Sequence, residues 1–445
     1  MTATLKPKIK IYTKDNIHTL PQFSKVSKEK QFELKVVASI LPFRVNNYVT
    51  DNLVDWDHFD TDPLYHLNFM QRDMLSSSHF NTIAQLISTN QGETPSFSQA
   101  VNKIRLELNP HPSGQLTSNV PIHNDEPVPG IQHKYTQTAL VFPKQGQTCH
   151  SYCTFCFRWA QFSDLEDLKF ATDQNRAYLN YIKDHKELTD VLITGGDPMI
   201  MNARILKTYI EPLLAPEFDH IQTIRIGSKT LTYWPYRYIS DRDTKEVLEL
   251  FEKVVSANKT LAFMAHINHH REIETDVARQ AIKAIQGTGA IIRSQSPILR
   301  HINDKEDIWE KNWNLQVRMG IVPYYMFVER DTGPQNYFAI PLIQALEVYR
   351  NALRRVSGLA RTARGPSMSA TPGKVNIEDI QVIKGQKVMV LKFLQGRDSD
   401  WVGRPFYAKY DPEAKWLSDL KPAFGESKFF FEPEIRVLNS AISNS

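Results

Sequence analysis

Residues 138–159 read TALVFPKQGQTCHSYCTFCFRW, a short apolar run followed by three cysteines within eight positions. The run TALVFP is typical of a buried β-strand. Cys149, Cys153 and Cys156 are the only cysteines of the 445-residue chain. Disulfides use cysteines in pairs and structural zinc sites normally take four ligands, so an isolated trio indicates neither.

The composition is that of a large globular protein. Hydrophobic residues make up 41% and charged residues 23% of the chain, which excludes a disordered or fibrous architecture. The net charge of +4 is not concentrated in any basic run, so a nucleic-acid partner is not expected. No apolar run reaches the roughly 18 residues of a membrane span, and the N-terminus lacks a secretion signal. Cysteines kept as thiols indicate a reducing compartment, so we expect a cytoplasmic protein.

Beyond residue 143, short apolar runs alternate with amphipathic stretches, which predicts successive βα units. Five further candidate strands follow the first, at 190–196, 223–228, 260–267, 290–298 and 320–328. The segment 242–257 has apolar residues at helical spacing. Six parallel strands with crossover helices can form a partial (β/α)6 barrel, with its site at the carboxyl ends of the strands. The cysteines directly follow the first strand, where such a site would lie.

We therefore predict an α/β protein with three regions. Residues 1–130 form a helical N-terminal region, residues 131–356 form the partial barrel, and residues 357–445 form a mixed C-terminal region that includes the strand-like KVMVLKFL. No internal repeat or low-complexity segment is present.

The cysteine spacing, Cys-x3-Cys-x2-Cys, suits an iron-sulfur centre. Three thiolates on one loop can hold three irons of a cubane 4Fe-4S cluster and leave the fourth iron open for chemistry. A zinc site completed by a distant histidine, or three unrelated core thiols, are the alternatives. At the end of the second candidate strand, LITGGDP places Gly195 and Gly196 where the backbone can turn closely, because glycine has no Cβ.

A further signal is ARGPSMSATPGKVNI, residues 363–377. It is not a phosphate-binding P-loop, because seven residues separate Gly365 from Gly373 and Val375 follows Lys374. A lysine held in a Pro-Gly turn can form a Schiff base with pyridoxal phosphate (PLP). The alternative is a solvated lysine in a surface turn.

Together these motifs resemble the lysine 2,3-aminomutase family, which combines radical S-adenosylmethionine (SAM) chemistry with PLP. Over residues from about 120 to 376, eight stretches occur in order: PVPGIQHKY (127–135), the cysteine loop, LITGGDP, RIGSK (225–229), HINHHREI (266–273), RSQSPILRHIND (293–304), VPYYMFV and TPGK. The resemblance implies an isomerase, an amino acid 2,3-aminomutase, with a 4Fe-4S cluster, SAM and PLP as cofactors. A 5′-deoxyadenosyl radical would take hydrogen from the substrate's β-carbon, and the PLP imine would let the nitrogen migrate.

The resemblance also implies roles for individual residues. The cluster ligands would be Cys149, Cys153 and Cys156. The cofactor-binding residues would be Gly195, Gly196, Asp197 and Gln295 on the SAM side and Lys134, Tyr135 and Lys374 on the PLP side. Lys374 would be the PLP lysine, and Arg158 would hold the substrate α-carboxylate through its planar guanidinium. The family's arginine shortly after HKY is Thr138 here.

Two positions bear on the substrate. Lysine-specific members receive the ε-ammonium on two aspartates, and the corresponding positions are Arg330 and Ser367 here. Since neither is acidic, the resemblance implies a glutamate-like substrate, with Arg330 and Ser367 at its distal carboxylate. The neighbours Glu329 and Asp331 keep lysine (or arginine) as the alternative, because a one-residue bulge would restore a carboxylate.

Other classes stay open. One is an enzyme that modifies a lysine of a translation factor, and another is an iron-sulfur electron carrier or sensor without aminomutase activity. The histidines of HINHH lack a carboxylate at diagnostic spacing, so we expect them to line the barrel mouth rather than bind metal. The expected partners are an amino acid substrate and an electron donor such as flavodoxin or ferredoxin. Neither nucleic acid nor membrane is expected, and a homo-oligomer is left open.

Overall fold

The computed structural model describes residues 7–89, 91, 94–110, 118–163, 169–173 and 175–433. The strands in these ranges are β1 (Ile11–Thr13), β2 (Arg44–Asn46), β3 (Ile122–His123), β4 (Glu126–Pro127), β5 (Ile131–Tyr135), β6 (Thr138–Val141), β7 (Asp190–Ile193), β8 (Thr223–Ser228), β9 (Thr260–His266), β10 (Ile291–Ile298), β11 (Val322–Val328), β12 (Arg364–Ser369), β13 (Gly373–Ile383), β14 (Gln386–Gly396) and β15 (Pro405–Lys409). The α-helices are α1 (Lys28–Val37), α2 (Asn47–Asn52), α3 (Pro63–Asn68), α4 (Ser77–Ser88), α5 (Pro95–Glu107), α6 (Asn175–Asp184), α7 (Ala203–Ile210), α8 (Thr230–Tyr233), α9 (Thr244–Ser256), α10 (Asp276–Gly287), α11 (Glu306–Arg318), α12 (Gln335–Phe338) and α13 (Leu342–Arg354).

Strands β5 to β15 form one eleven-stranded sheet in which each strand is hydrogen bonded to its neighbours in the sequence. Strands β6 to β12 run parallel to one another. The strands at the two ends of this unit, β5 on one side and β13 to β15 on the other, pair antiparallel. Because parallel neighbours need long crossover connections, helices lie between the consecutive strands.

The six strands predicted from apolar runs are β6 to β11, and their ends differ from the predicted ends by at most three residues. The mixed α/β class is therefore confirmed. Both β6 and β7 end before the predicted positions, where Pro143 and the Gly195–Gly196 pair follow. Proline has no amide hydrogen for the ladder, and a glycine pair leaves the strand conformation readily.

The crossover helices are amphipathic. Helix α9, predicted at 242–257, buries Val247, Leu250, Phe251 and Val254. These residues recur at intervals of three and four, so they share one helix face and pack with β8 and β9 in the largest core cluster of the parallel unit. In the described part of the chain, no helix is long and apolar enough to cross a membrane.

The C-terminal strands continue the same sheet. Strand β12 pairs parallel with β11, and β13 follows β12 as its antiparallel neighbour. Lys374 is the second residue of β13, directly after the turn at residues 370–372. The three predicted regions stay a prediction, but the sheet runs across the boundary placed at residue 356.

The N-terminal region contributes helices α1 to α5 and the small antiparallel pair β1–β2. Its apolar side chains share one core cluster with Phe155 and Trp159 of the cysteine segment and with Tyr233 and Trp234 after β8. The N-terminal region therefore packs directly against the segment that carries the cysteines.

Candidate active site

Residues from every strand between β5 and β14 line one cavity of about 300 Å³. Several lining pairs are two residues apart, such as Arg225 with Gly227 on β8 and Met264 with His266 on β9. Alternate residues of a strand share one face, so a single face of the sheet surrounds the cavity. Six predicted site residues line it, namely Lys134, Tyr135, Arg158, Gln295, Arg330 and Lys374.

Lys374 lies in the cavity among aromatic rings. Its Nζ donates to Gln395 Oε1 at 2.8 Å and lies 4.5 Å from the ring centre of Tyr325 and 5.7 Å from that of Tyr135. Burial, assisted by the charges of nearby arginines, lowers the pKa of the Lys374 amine to about 7. An amine of this pKa is largely uncharged in mildly alkaline solution, which is the state required for attack on an aldehyde.

Arg158 lies two residues after Cys156 and lines the cavity. Its guanidinium covers the ring of Phe142 at 4.1 Å, and its Nη2 donates to Gln161 Oε1 at 3.0 Å. The Nε atom is buried and has no hydrogen-bond partner among the described residues. Burial lowers the pKa of Arg158 to about 10. The guanidinium therefore retains an unused donor for an anionic group.

The three cysteine thiols are free and lie close enough to influence one another electrostatically. Burial raises the pKa of Cys153 to about 11 and of Cys156 to about 12, and it raises the pKa of Cys149 well above its usual value. Thiols in such surroundings become thiolates when metal cations neutralise them. No His, Cys, Asp or Glu group in the described ranges is close enough to hold a single metal ion. A cubane takes one thiolate per iron, so its ligands stand farther apart than those of one ion.

The cysteine loop, residues 149–156, is held by backbone groups of the N-terminal region. Tyr152 N donates to Arg44 O at 2.8 Å, and Thr154 N donates to Leu67 O at 3.0 Å. The buried Asn46 side chain donates to His150 O at 3.2 Å. These partners lie on β2 and α3, so the N-terminal region determines the loop conformation that presents the cysteines.

The turn after β7 packs against the same loop. Gly195 has φ +148, and a Cβ on Gly196 would lie 2.5 Å from Thr148 N and 2.6 Å from Thr148 O. Only glycine allows this approach. The Asp197 carboxylate accepts hydrogen bonds from Met199 N, Ser228 Oγ, Lys229 N and Thr230 Oγ1. Asp197 therefore links the turn after β7 to the end of β8. Gly195, Gly196 and Asp197 do not line the cavity.

The HINHH histidines are engaged in local contacts. His266 lines the cavity, stacks on Phe155 with ring centres 5.6 Å apart and contacts Asn268. His269 Nδ1 accepts from Arg271 N at 3.2 Å. The acid of this segment, Glu272, forms a buried ion pair with Lys229 at 2.5 Å.

The two predicted substrate positions, Arg330 and Ser367, differ in their access to the cavity. Arg330 lines the cavity, and its buried Nε has no partner among the described residues, whereas Ser367 is fully buried and does not line the cavity. Glu329 also lines the cavity, is 3% exposed and has an unpartnered Oε1 within the described chain. Burial raises the pKa of Glu329 well above its usual value.

Register shifts explain this arrangement. Ser294 pairs with Pro323 and Gln295 pairs with Tyr325, so β11 carries one extra residue there. Tyr325 pairs with Arg364 and Phe327 pairs with Ser367, so β12 also carries one extra residue. A bulge ends strict alternation, and side chains no longer follow the positions counted along the sequence. Glu329 and Arg330, which follow β11, both line the cavity.

Sequence reasoning missed several lining residues. Gln395 lies near the end of β14, and Arg397 directly follows that strand. Arg225 lies inside RIGSK and forms an ion pair with Asp190 at 2.6 Å. Gln395 is identified only by its pairing with Lys374 across β13 and β14. No sequence spacing indicates such a pairing, although Arg225 was marked by its motif.

Known proteins named lysine 2,3-aminomutase are similar in sequence to this chain. A putative L-lysine 2,3-aminomutase of Aquifex aeolicus is 33% identical over 301 residues, which cover 68% of this chain and 77% of that protein. The L-lysine 2,3-aminomutase of Fusobacterium nucleatum is 28% identical over 62% of this chain and 61% of its own length. The solved structure of Streptococcus suis SuiB is 12% identical, with a TM-score of 0.36 over 66% of each chain. No protein-family model matches the chain.

The thiol trio and the relatives define a radical SAM enzyme. The chain belongs to the lysine 2,3-aminomutase family. Enzymes of this family are isomerases that use a 4Fe-4S cluster, SAM and PLP, and these are the cofactors of this chain. The residues present fit two of these groups: a buried amine of low pKa suits PLP, and three neighbouring thiols without a fourth suit a cluster with one open iron.

Proposed function

We propose that the protein is an α-amino acid 2,3-aminomutase whose substrate binds in the cavity between Lys374 and Arg158. One observation carries the proposal: the predicted PLP lysine and the arginine of the cysteine segment line the same cavity, although they are distant in the sequence. When bound, the cluster with SAM supplies a hydrogen-abstracting radical, and PLP supplies an imine that allows nitrogen to migrate.

The chain's own groups bind and orient. Lys374, with its low pKa, offers an uncharged amine to PLP, and Gln395 accepts a hydrogen bond from it. Tyr135 and Tyr325 provide flat rings beside this amine. Arg158 takes the substrate α-carboxylate and so determines where the β-hydrogen points. The aromatic walls exclude water from the reacting centre.

The remaining site assignments belong to the same proposal. Cys149, Cys153 and Cys156 ligate the cluster, the backbone of the Gly195–Gly196 turn approaches SAM, and Gln295 faces the SAM side. We infer that strands β6 to β11 curve as a partial barrel. The support is that side chains from consecutive strands, alternating in sequence, surround one cavity.

Lysine is the substrate that we favour over the glutamate-like substrate expected from Arg330 and Ser367. Several relatives bear the name L-lysine 2,3-aminomutase. Glu329 supports this choice, because it places a buried, unpartnered carboxylate oxygen at the cavity. A lysine ε-ammonium would ionise Glu329 and form a charge-assisted hydrogen bond with it.

Glutamate is the second candidate, and Arg330 favours it. Its unpartnered Nε and its position on the cavity wall suit a distal carboxylate. Ser367 offers less support for a glutamate substrate than the sequence predicted, since it does not line the cavity.

Matched isosteric variants separate the two substrates. The reconstituted, anaerobic enzyme is given L-lysine and L-glutamate together, and β-lysine and β-glutamate are quantified. If lysine is the substrate, Glu329→Gln should lower kcat/KM for lysine about tenfold to a hundredfold, because a charged hydrogen bond is worth about 1.5–3 kcal/mol. Glu347→Gln, at an exposed position of α13, is the control. If the unmodified enzyme instead forms β-glutamate rapidly and Arg330→Gln abolishes that reaction, glutamate is the substrate.

The PLP assignment has its own test. Lys374→Ala should lose all borohydride-trapped PLP and all turnover while keeping the iron and sulfide content of the unmodified enzyme. An iron-sulfur carrier or sensor without aminomutase activity would trap no PLP even with Lys374 intact. Trapping on another lysine in the variant would refute the assignment.

The proposed enzyme also needs a reductant for its cluster and a compartment that keeps its thiols reduced. Reduction of the cluster requires a one-electron donor, for which flavodoxin or ferredoxin is suitable, and thiols that must stay reduced suit a cytoplasmic setting.

A further inference from the structure

A buried tyrosine hydroxyl contacts one of the three cysteine thiols. Tyr233, the last residue of α8, is 1% exposed, and its hydroxyl oxygen lies 3.5 Å from Cys153 Sγ, whose thiol donates to it. A cysteine that ligates iron has lost its proton, so its sulfur can only accept. In the loaded enzyme the neutral phenol of Tyr233 therefore becomes the donor and the Cys153 thiolate the acceptor.

The position of Tyr233 relative to the cysteine loop is fixed by contacts other than its hydroxyl. The fully buried Asn46 side chain donates to His150 O at 3.2 Å and to Tyr233 O at 2.9 Å. The His150 ring and the Thr230 hydroxyl, which lies on α8, form a second hydrogen bond of 3.1 Å. Because these contacts join the loop to α8 independently of the phenol, removal of the hydroxyl should leave the loop in place.

A cation lies over the ring of the same tyrosine. Lys229 Nζ is 4.4 Å from the ring centre of Tyr233 and is held there by Glu272 Oε1 at 2.5 Å and Asn268 Oδ1 at 3.0 Å. The Glu272 carboxylate favours the charged form of this buried lysine. A cation over an aromatic ring attracts the ring electrons, which makes the phenol O–H a stronger hydrogen-bond donor.

We propose that Tyr233 raises the reduction potential of the cluster by donating a hydrogen bond to the Cys153 thiolate, an inference that rests on the proposed cluster ligation. Addition of one electron from the external donor increases the negative charge shared by the sulfur ligands. A hydrogen bond to such a sulfur is therefore stronger in the reduced state, and hydrogen bonds of this kind help to set cluster potentials. Tyr233 acts through Cys153 and not on the substrate, so it is a positioning residue.

The test is an anaerobic potentiometric titration of the reconstituted, full-length enzyme, followed by the electron paramagnetic resonance signal of the reduced cluster. Tyr233→Phe removes only the hydroxyl and should change the one-electron equilibrium constant about tenfold, which lowers the potential by about 59 mV. Tyr233→3-fluorotyrosine, with a more acidic phenol, should raise the potential. Tyr178→Phe is the matched control, since Tyr178 is also 1% exposed and donates to Tyr209 O at 2.9 Å in the core of the parallel unit.

Opposite shifts from the two changes at position 233, with the potential unchanged in Tyr178→Phe, support the proposal. An unchanged or raised potential in Tyr233→Phe overturns it, as does an equal shift in Tyr178→Phe. If Tyr233→Phe assembles no cluster, the fluorinated protein decides: a raised potential supports the proposal, and an unchanged or lowered one overturns it. If the unmodified enzyme forms no reducible 4Fe-4S cluster, the proposed function fails as well, whereas a normal cluster with an insensitive potential removes only the role of Tyr233.

Discussion

The low pKa of Lys374 predicts an unusual pH profile for PLP capture. With a pKa of about 7 instead of the ordinary 10.5, the uncharged fraction of the amine rises from about 9% at pH 6 to about 99% at pH 9. Over the same range, the uncharged fraction of an ordinary lysine rises about a thousandfold without levelling off. We therefore expect the capture rate to rise about elevenfold and reach a plateau by about pH 8.

The assay is stopped-flow absorbance of the PLP-stripped enzyme mixed with PLP between pH 6 and pH 9. A free lysine derivative measured in parallel serves as the control, because it shares any effect of PLP's own ionisation. A capture rate that follows the free amine up to pH 9 would refute the argument that burial and nearby arginines depress this pKa.

A variant tests the electrostatic cause. The charge of Arg364 contributes to lowering the pKa of Lys374, so Arg364→Gln should move the midpoint of the capture profile to higher pH.

The lowered pKa of Lys374 also makes the free energy of unfolding depend on pH. Between pH 7 and pH 10.5 the unfolded chain binds one proton more than the folded chain at this lysine, so this residue makes the PLP-free protein more stable as pH rises through that window.

Three further predictions concern the cysteine loop. Cys153→Ala should abolish SAM cleavage and lower the iron content, since the chain has no spare cysteine; normal cleavage would contradict the cluster assignment. Asn46→Ala removes hydrogen bonds to His150 O and Tyr233 O and should cost about 2 kcal/mol in denaturant unfolding. Gly196→Ala should lower both thermal stability and iron content, because its Cβ would meet backbone atoms. Gly287→Ala is the matched control, since no atom lies within 4 Å of its added Cβ, and equal effects of the two changes would argue against the clash.

The sequence predicted the parallel strands well because each buries at least two apolar residues that stand close together in the sequence. Strand β8 begins and ends at the predicted residues, Thr223 and Ser228. Such runs depend on local composition, which needs no knowledge of distant partners. The C-terminal strands were predicted only in part, since β13 has a mixed burial pattern with exposed residues in its second half.

Short contiguous motifs led from the sequence to Lys374, which lines the cavity, and to three cysteines whose thiols lie near one another; their roles stay predictions. Sequence patterns did not indicate which residues line the cavity where strand register decides. Counting along the sequence placed Ser367 at the substrate and left Glu329 as a neighbour, whereas in the structure Glu329 lines the cavity and Ser367, on a strand with a register shift, does not. Gln395 is brought to Lys374 by antiparallel pairing alone, which apolar periodicity does not specify.

The hydrogen bonds that join the cysteine loop to β2 and α3 have a consequence for how the enzyme acquires its cluster. The carbonyl groups that receive the loop belong to Arg44 and Leu67, which leave the ribosome well before the cysteines do. The surface that shapes the loop can thus fold before its thiols are synthesised. Damage to the first seventy residues would therefore produce an iron-poor enzyme, even though none of the described residues among them lines the cavity.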